Sequence, residues 1–161
     1  MRHPFFKSSR QKVVSGWFFI GIGSRFRGDD AVGCLLADEL AAAGLAAIEH
    51  SGEPTSLIDD WQGPERVMLL DAVFSGAAPG IIHHFDLRTE TLPAAFSKPT
   101  THAIGIAEAV EFARALGKLP PKIEFYGIEG QSFDYGRSLS PPVQEALEKL
   151  KGMLLKRYGS G

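Results

Sequence analysis

Short apolar runs alternate with helically spaced apolar residues along almost the whole chain, and this alternation limits the fold more than any other feature. Val13–Val14 and then Trp17 to Ile22 read as a buried strand, ended by the glycines of GIGS. A helix follows from Asp30, with Val32, Leu35, Leu36 and Leu40 on one stripe and Gly44 past its end. Ala46 to Glu49 gives a second strand and Arg66 to Asp71 (RVMLLD) a third, with one helical turn in the SGEPTSLIDDWQGPE between them. Ser75 to Gly80 then turns the chain into Ile81–Asp86, and so short a turn leaves no room for a crossover. The fourth strand is therefore expected to pair antiparallel at an edge, with the third as its nearest partner. After a long loop, Leu87 to Thr100, a helix is predicted from His102 to Leu116, and Lys122 to Ile128 is the fifth strand. Ser140 as N-cap and Pro141 as first helical residue open the closing helix, whose seam is Val143, Leu147, Leu150 and Leu154. The predicted fold is an α/β three-layer sandwich. Its sheet has five strands, mainly parallel, with one antiparallel edge strand, and helices flank it.

At 161 residues the chain is one domain, long enough to bury an apolar core without staples. Seventeen Lys plus Arg against 19 Asp plus Glu is too even a balance for a phosphate-backbone binder. A single cysteine, Cys34, excludes an internal disulfide framework and any multi-thiolate metal site. The N-terminal stretch imitates a secretory signal, with basic residues before an apolar run. That run contains glycines, lacks an A-x-A cleavage site and includes the first strand. Residues 1–12 therefore read as a flexible extension and residues 13–161 as a single α/β domain, cytoplasmic and monomeric, with no membrane or nucleic-acid partner.

Ligands of such sheets bind outside the carboxyl ends of the strands, so polar residues there are the candidates. In GIGSRFRGDD, Gly21, Gly23 and Gly28 suggest a dinucleotide loop, with Glu49 reaching a ribose. The third glycine falls two residues late for that fingerprint. Asp29 and Asp30 would also repel a phosphate from the helix N-terminus. One of the two aspartates is explained by capping; the second is then left to face the cleft. The reading is Asp29 as N-cap and Asp30 as the first helical residue, pointing inward. Asp71 ends an apolar strand, where a carboxylate is costly unless paired, hydrogen-bonded or bound to a cation. His102 opens a helix, where the ring is kept neutral and offers a lone pair. His50 is a minor candidate; His83 and His84 sit in the edge strand, and His3 in the extension. Asp30, Asp71 and His102 converging on one cleft would suit a divalent metal with open coordination positions.

Four stretches in this order, GIGSRFRGDDAVG, MLLDAVFSGAAPG, THAIGIAEAV and YGIEG…LSPPVQEAL, resemble the hydrogenase maturation endopeptidases. The resemblance runs from about Trp17 to the last helix. It implies a sheet flanked by helices and a peptidase that removes a C-terminal extension from the large-subunit precursor of a nickel–iron hydrogenase after nickel insertion. The family's metal ligands fall by motif position on Asp30, Asp71 and His102, which would then be the catalytic set as well. Two positions depart from the family pattern. Asp30 stands where glutamate is frequent, and Ser24 where asparagine is usual.

No serine–histidine–acid constellation is recognisable, and Cys34 lies on the core side of its helix. The implied scheme therefore has the ligands grip nickel already seated in the precursor, while an activated water attacks the scissile carbonyl. A non-catalytic chaperone that senses nickel loading, and a dinucleotide-binding oxidoreductase, are the alternatives from other classes.

Overall fold

The computed structural model describes residues 16–94, 96 and 105–159. The proposed extension, Val13–Val14 and His102 lie outside the described residues. Five strands form one sheet in the order β2-β1-β3-β5-β4. They are β1 (Phe18–Ile22), β2 (Ala46–His50), β3 (Arg66–Val73), β4 (Ile82–Asp86) and β5 (Lys122–Glu129). Four helices flank it: α1 (Val32–Ala42), α2 (Pro54–Asp60), α3 (Ile106–Leu116) and α4 (Pro141–Tyr158). The β1–β2, β1–β3 and β3–β5 pairs are parallel, and β4 runs antiparallel to β5.

The expected partner of β4 is corrected by this topology. Both edges of β3 are taken, by β1 and by β5, so β4 pairs with β5 instead. Burial explains the order: every β3 residue after Arg66 is buried, as a central strand requires. No residue of β4 is fully buried, which suits an edge.

Alternate residues of each strand feed two cores, because successive side chains point to opposite faces. Phe19, Met68, Leu70 and Tyr126 pack with Val32, Leu36 and Leu40 of α1 and with Val143, Leu147, Leu150 and Leu154 of α4. Phe18, Ile20, Val67, Leu69, Ile123 and Phe125 pack with Leu57, Ile58 and Trp61 below α2 and with Ala109, Val110 and Ala113 of α3. The buried Trp61 indole donates to the Lys118 carbonyl at 3.0 Å, which ties the end of α2 to the end of α3.

Helix α1 meets the sheet backbone to backbone. A Cβ on Gly21 would lie 2.0 Å from the Gly33 carbonyl oxygen, and one on Gly33 would lie 2.5 Å from the carbonyl oxygens of both Ile22 and Leu70. Only glycine fits at this pair. The contact draws the start of α1, and the acidic turn just before it, against the carboxyl ends of β1 and β3. Strand order reverses between those same two strands, since the chain goes from β1 to β2 on one side and returns to β3 on the other. The crevice at such a reversal is where open α/β sheets bind ligands.

Candidate active site

Three loops meet at this edge: 23–31 after β1, 74–81 after β3 and 130–140 after β5. The first begins at Gly23, whose N–H donates to the His50 carbonyl at 3.0 Å, and ends in a 3-10 turn, Gly28–Ala31. Arg25 steadies its exposed flank. The guanidinium joins Asp38 of α1 at 2.7 Å and also takes the Glu49 carboxylate of β2, with Nε–Oε2 at 2.8 Å. Hydrogen bonds to Glu49 first, and then to Asp38, raise its pKa above the ordinary arginine value. Glu49, once a candidate for a ribose, is thus the anchor of the loop.

Asp29 and Asp30 are both buried, and their tasks differ. The Asp29 carboxylate accepts four bonds from the 130–140 loop. These come from the N–H groups of Gln131 at 2.7 Å, Ser132 at 3.0 Å and Ser140 at 2.7 Å, and from the Ser140 hydroxyl at 2.8 Å. The expected cap is therefore corrected. Arg27 occupies the N-cap position of the 3-10 turn with no side-chain capping bond, and the Asp29 carboxylate points out of the turn into the neighbouring loop. Ser140 does sit at the N-cap position of α4 with Pro141 next, but its hydroxyl serves Asp29 and makes no cap bond.

Asp30 belongs to the 3-10 turn, so it precedes the first residue of α1. Its Oδ2 accepts the Ser24 N–H at 3.1 Å, an internal bond that closes the glycine loop around it. The Asp30 carboxylate thus occupies a main-chain donor of the glycine loop, where a dinucleotide phosphate would bind, against the oxidoreductase alternative. Asp71 lies within β3, paired in register with Gly127 of β5, and its Oδ1 accepts the Ala72 N–H at 2.8 Å. Asp30 and Asp71 are each 4% exposed. Both are near enough to Cys34 for their charges to act on its thiol. Burial is the largest cause there, followed by the charge of Glu49; together the effects push Cys34 up to about 12. Such a thiol carries almost no thiolate at neutral pH, which excludes it as a nucleophile.

His102, the third expected ligand, lies outside the described residues, and the expected helix start there is corrected: α3 begins at Ile106 with an extended Gly105 at the N-cap position. Among those described, no three His, Cys, Asp or Glu side chains gather as a metal site. His50 stands at the end of β2, where its Nδ1 accepts the Gly52 N–H at 2.8 Å and its Nε2 lies 3.2 Å from the Ser56 hydroxyl. His84 stacks on Tyr126 and lies 2.8 Å from Glu124.

One buried cluster escaped sequence reading. Glu129, at the carboxyl end of β5, is 1% exposed and accepts the Ser75 N–H and hydroxyl, each at 2.7 Å. His83 Nε2 lies 3.0 Å from the same carboxylate. Burial raises the Glu129 pKa, but the two Ser75 bonds and His83 outweigh it and hold the group below its ordinary value. A carboxylate ending an apolar strand was the available signal, the same one that singled out Asp71.

Comparison with known proteins agrees with this architecture. The family model described as hydrogenase maturation protease matches residues 40–157, a span that begins after Asp30 and includes Asp71 and His102. The Hydrogenase 2 maturation protease of Escherichia coli is 26% identical over 143 residues, covering 80% of this chain and 82% of that protein. Solved structures share the fold. The endopeptidase HycI of Escherichia coli superposes with a TM-score of 0.69 at 24% identity, covering 89% of this chain and 93% of that one. The [NiFe] hydrogenase maturation protease HybD of Thermococcus kodakarensis gives 0.66 at 23%, covering 88% and 98%. The chain belongs to the hydrogenase maturation protease family and is a peptidase, a hydrolase of peptide bonds.

Proposed function

We propose that this peptidase acts in the cytoplasm on the large-subunit precursor of a nickel–iron hydrogenase and removes its C-terminal extension once nickel is in place. One observation carries the reading: two buried carboxylates, Asp30 and Asp71, stand at the carboxyl edge where the strand order reverses. A buried charge in such a crevice is stabilised by a cation. Two carboxylate oxygens and an imidazole nitrogen suit a divalent ion that keeps open positions for substrate. Asp30, Asp71 and His102 are the ligands in this reading, and nickel arrives with the precursor as part of the substrate. When held there, the cation supplies positive charge beside the scissile carbonyl. The chain's own residues do the rest. Ser24 and Ala72 fix one oxygen of each aspartate through their N–H groups, so that the ligands are pre-oriented. The carboxylates also provide the base that takes a proton from the attacking water.

The test is the mass of the purified precursor, nickel-loaded and nickel-free, before and after incubation with this protein. Shortening of the loaded form alone is expected. Asp30→Asn should bind the loaded precursor weakly and leave it uncut. Equal cutting of both forms would overturn nickel as the recognition element, and binding without cutting would leave a chaperone.

A further inference from the structure

Beside the acidic site lies a hollow of about 340 Å³, lined by Arg27, Phe74, Phe133, Asp134, Tyr135 and the main chain of residues 131–132. Its walls come from the same three loops that frame the carboxyl edge. Arg27 is three residues from Asp30, and Phe74 is three from Asp71. The walls are locked together: Asp29 N–H donates to the Ser132 carbonyl at 2.8 Å, Gly136 N–H to the Phe26 carbonyl at 2.9 Å, and Phe74 meets Phe133 edge-on at 5.7 Å. The hollow is therefore built, and it opens where large aromatic side chains face solvent. Of its lining, Phe74 is 43% exposed and Tyr135 72%. Aromatic and arginine side chains grouped in this way are the residues that anchor protein partners.

Charge defines what fits. The Arg27 guanidinium lies 4.9 Å from the Tyr135 ring centroid and 3.5 Å from the Phe133 carbonyl oxygen, and it forms no ion pair among the described residues. A planar fork backed by an aromatic face and lacking a carboxylate matches a carboxylate from a partner. Asp134, also in the lining, accepts the Ser132 hydroxyl at 3.4 Å. The apolar end is Phe74 against Phe133.

We propose that this hollow is the docking subsite for the precursor polypeptide, taking an acidic side chain at Arg27 and an adjoining apolar side chain against Phe74 and Phe133. This rests on the proposed function for the identity of the partner, and it places the bound chain across the loops that carry Asp30 and Asp71. The hollow is open rather than closed-ended, so it receives a side chain of a passing segment.

Titration calorimetry and cleavage kinetics with the nickel-loaded precursor test it, using wild type, Arg27→Ala, Arg27→Glu and Tyr135→Ala. Both residues reach solvent, so thermal melts should coincide with wild type. Arg27→Ala should weaken binding and raise KM about tenfold with kcat nearly unchanged, and Arg27→Glu should do more. Replacing the recognised acid of the precursor by its amide should reproduce the loss, and Arg27→Ala should then add little. Arg27 and Tyr135 variants that bind and cut like wild type would overturn the docking subsite while leaving the proposed function standing. Wild type that binds in an Arg27-dependent way without cutting would do the reverse. No binding by wild type, or an Arg27-dependent dimer of this chain that blocks the precursor, would also overturn the subsite.

Discussion

The carboxylate of Asp29 and the backbone of Ser140 are joined at 2.7 Å across 111 residues of chain. The bond fastens the acidic turn after β1 to the first residue before α4. With the Ser140 hydroxyl and two further N–H groups on the same buried carboxylate, it forms a junction between two walls of the site, buried at Ser140 and part-buried at Gln131 and Ser132.

Asp29→Ala should therefore destabilise the protein well beyond the loss of a helix cap. Each buried donor left without a partner costs about 1–3 kcal/mol, and Asp29 serves two buried donors, the Ser140 N–H and hydroxyl, besides the part-buried N–H groups of Gln131 and Ser132. Asp29→Asn retains acceptor capacity and should fall between the alanine variant and wild type. Urea melts of the three proteins measure the order.

Gly33→Ala should destabilise although glycine is a poor helix residue. In an open helix the change would gain about 1 kcal/mol. Here the new methyl meets two main-chain oxygens at 2.5 Å, which cannot move aside as a flexible side chain can. Overpacking of this kind costs about 1–3 kcal/mol or more. Gly152→Ala, in α4 with nothing near its added methyl, is the control and should be neutral or stabilising. Denaturant melts of the pair read the sign directly.

Glu129 predicts a pH dependence. Its folded pKa is lowered, so its stabilising contribution is fully present above the unfolded value of about 4.3 and is lost as pH falls through the folded one. Glu129→Gln should be less stable than wild type at pH 7. The gap should narrow as the pH of the melts is stepped below about 4.3. A gap constant down to acid unfolding would count against the Ser75–His83 junction.

Cys34 should resist thiol reagents in the native protein at pH 8, since burial is the main cause that holds its thiol up to about 12. It should react fully in urea. Cys34→Ala should keep peptidase activity on the precursor, because no step uses the thiol.

The fold was legible because its strands are apolar runs bounded by glycine, proline and charge. RVMLLD, for instance, stands out against everything around it. The neighbour of β4 was not. Ile82–Asp86 shows in its half-polar composition that it is an edge, but nothing in it says that β5 will come between it and β3. Within the site, Asp71 was legible as a carboxylate at the end of an apolar run. Asp29 and Asp30 were legible as a pair and not as individuals. What separates them is the partner each meets, Ser24 six residues away for one and Ser140 for the other. Arg25 gave no sign of its partners either, since Asp38 and Glu49 become neighbours only when α1 folds back along β1 and β2.

The long reach of the Asp29 junction orders events during synthesis. A chain emerging from the ribosome exposes β1, the acidic turn and β3 long before residue 140 is made, and contacts between such distant segments close late. Until then, the Asp29 carboxylate stays hydrated, the turn beside Asp30 is unlatched, and the wall formed by residues 131–135 does not exist. The cleft is therefore completed only after residues 131–140 have followed β1 and β3 out of the ribosome.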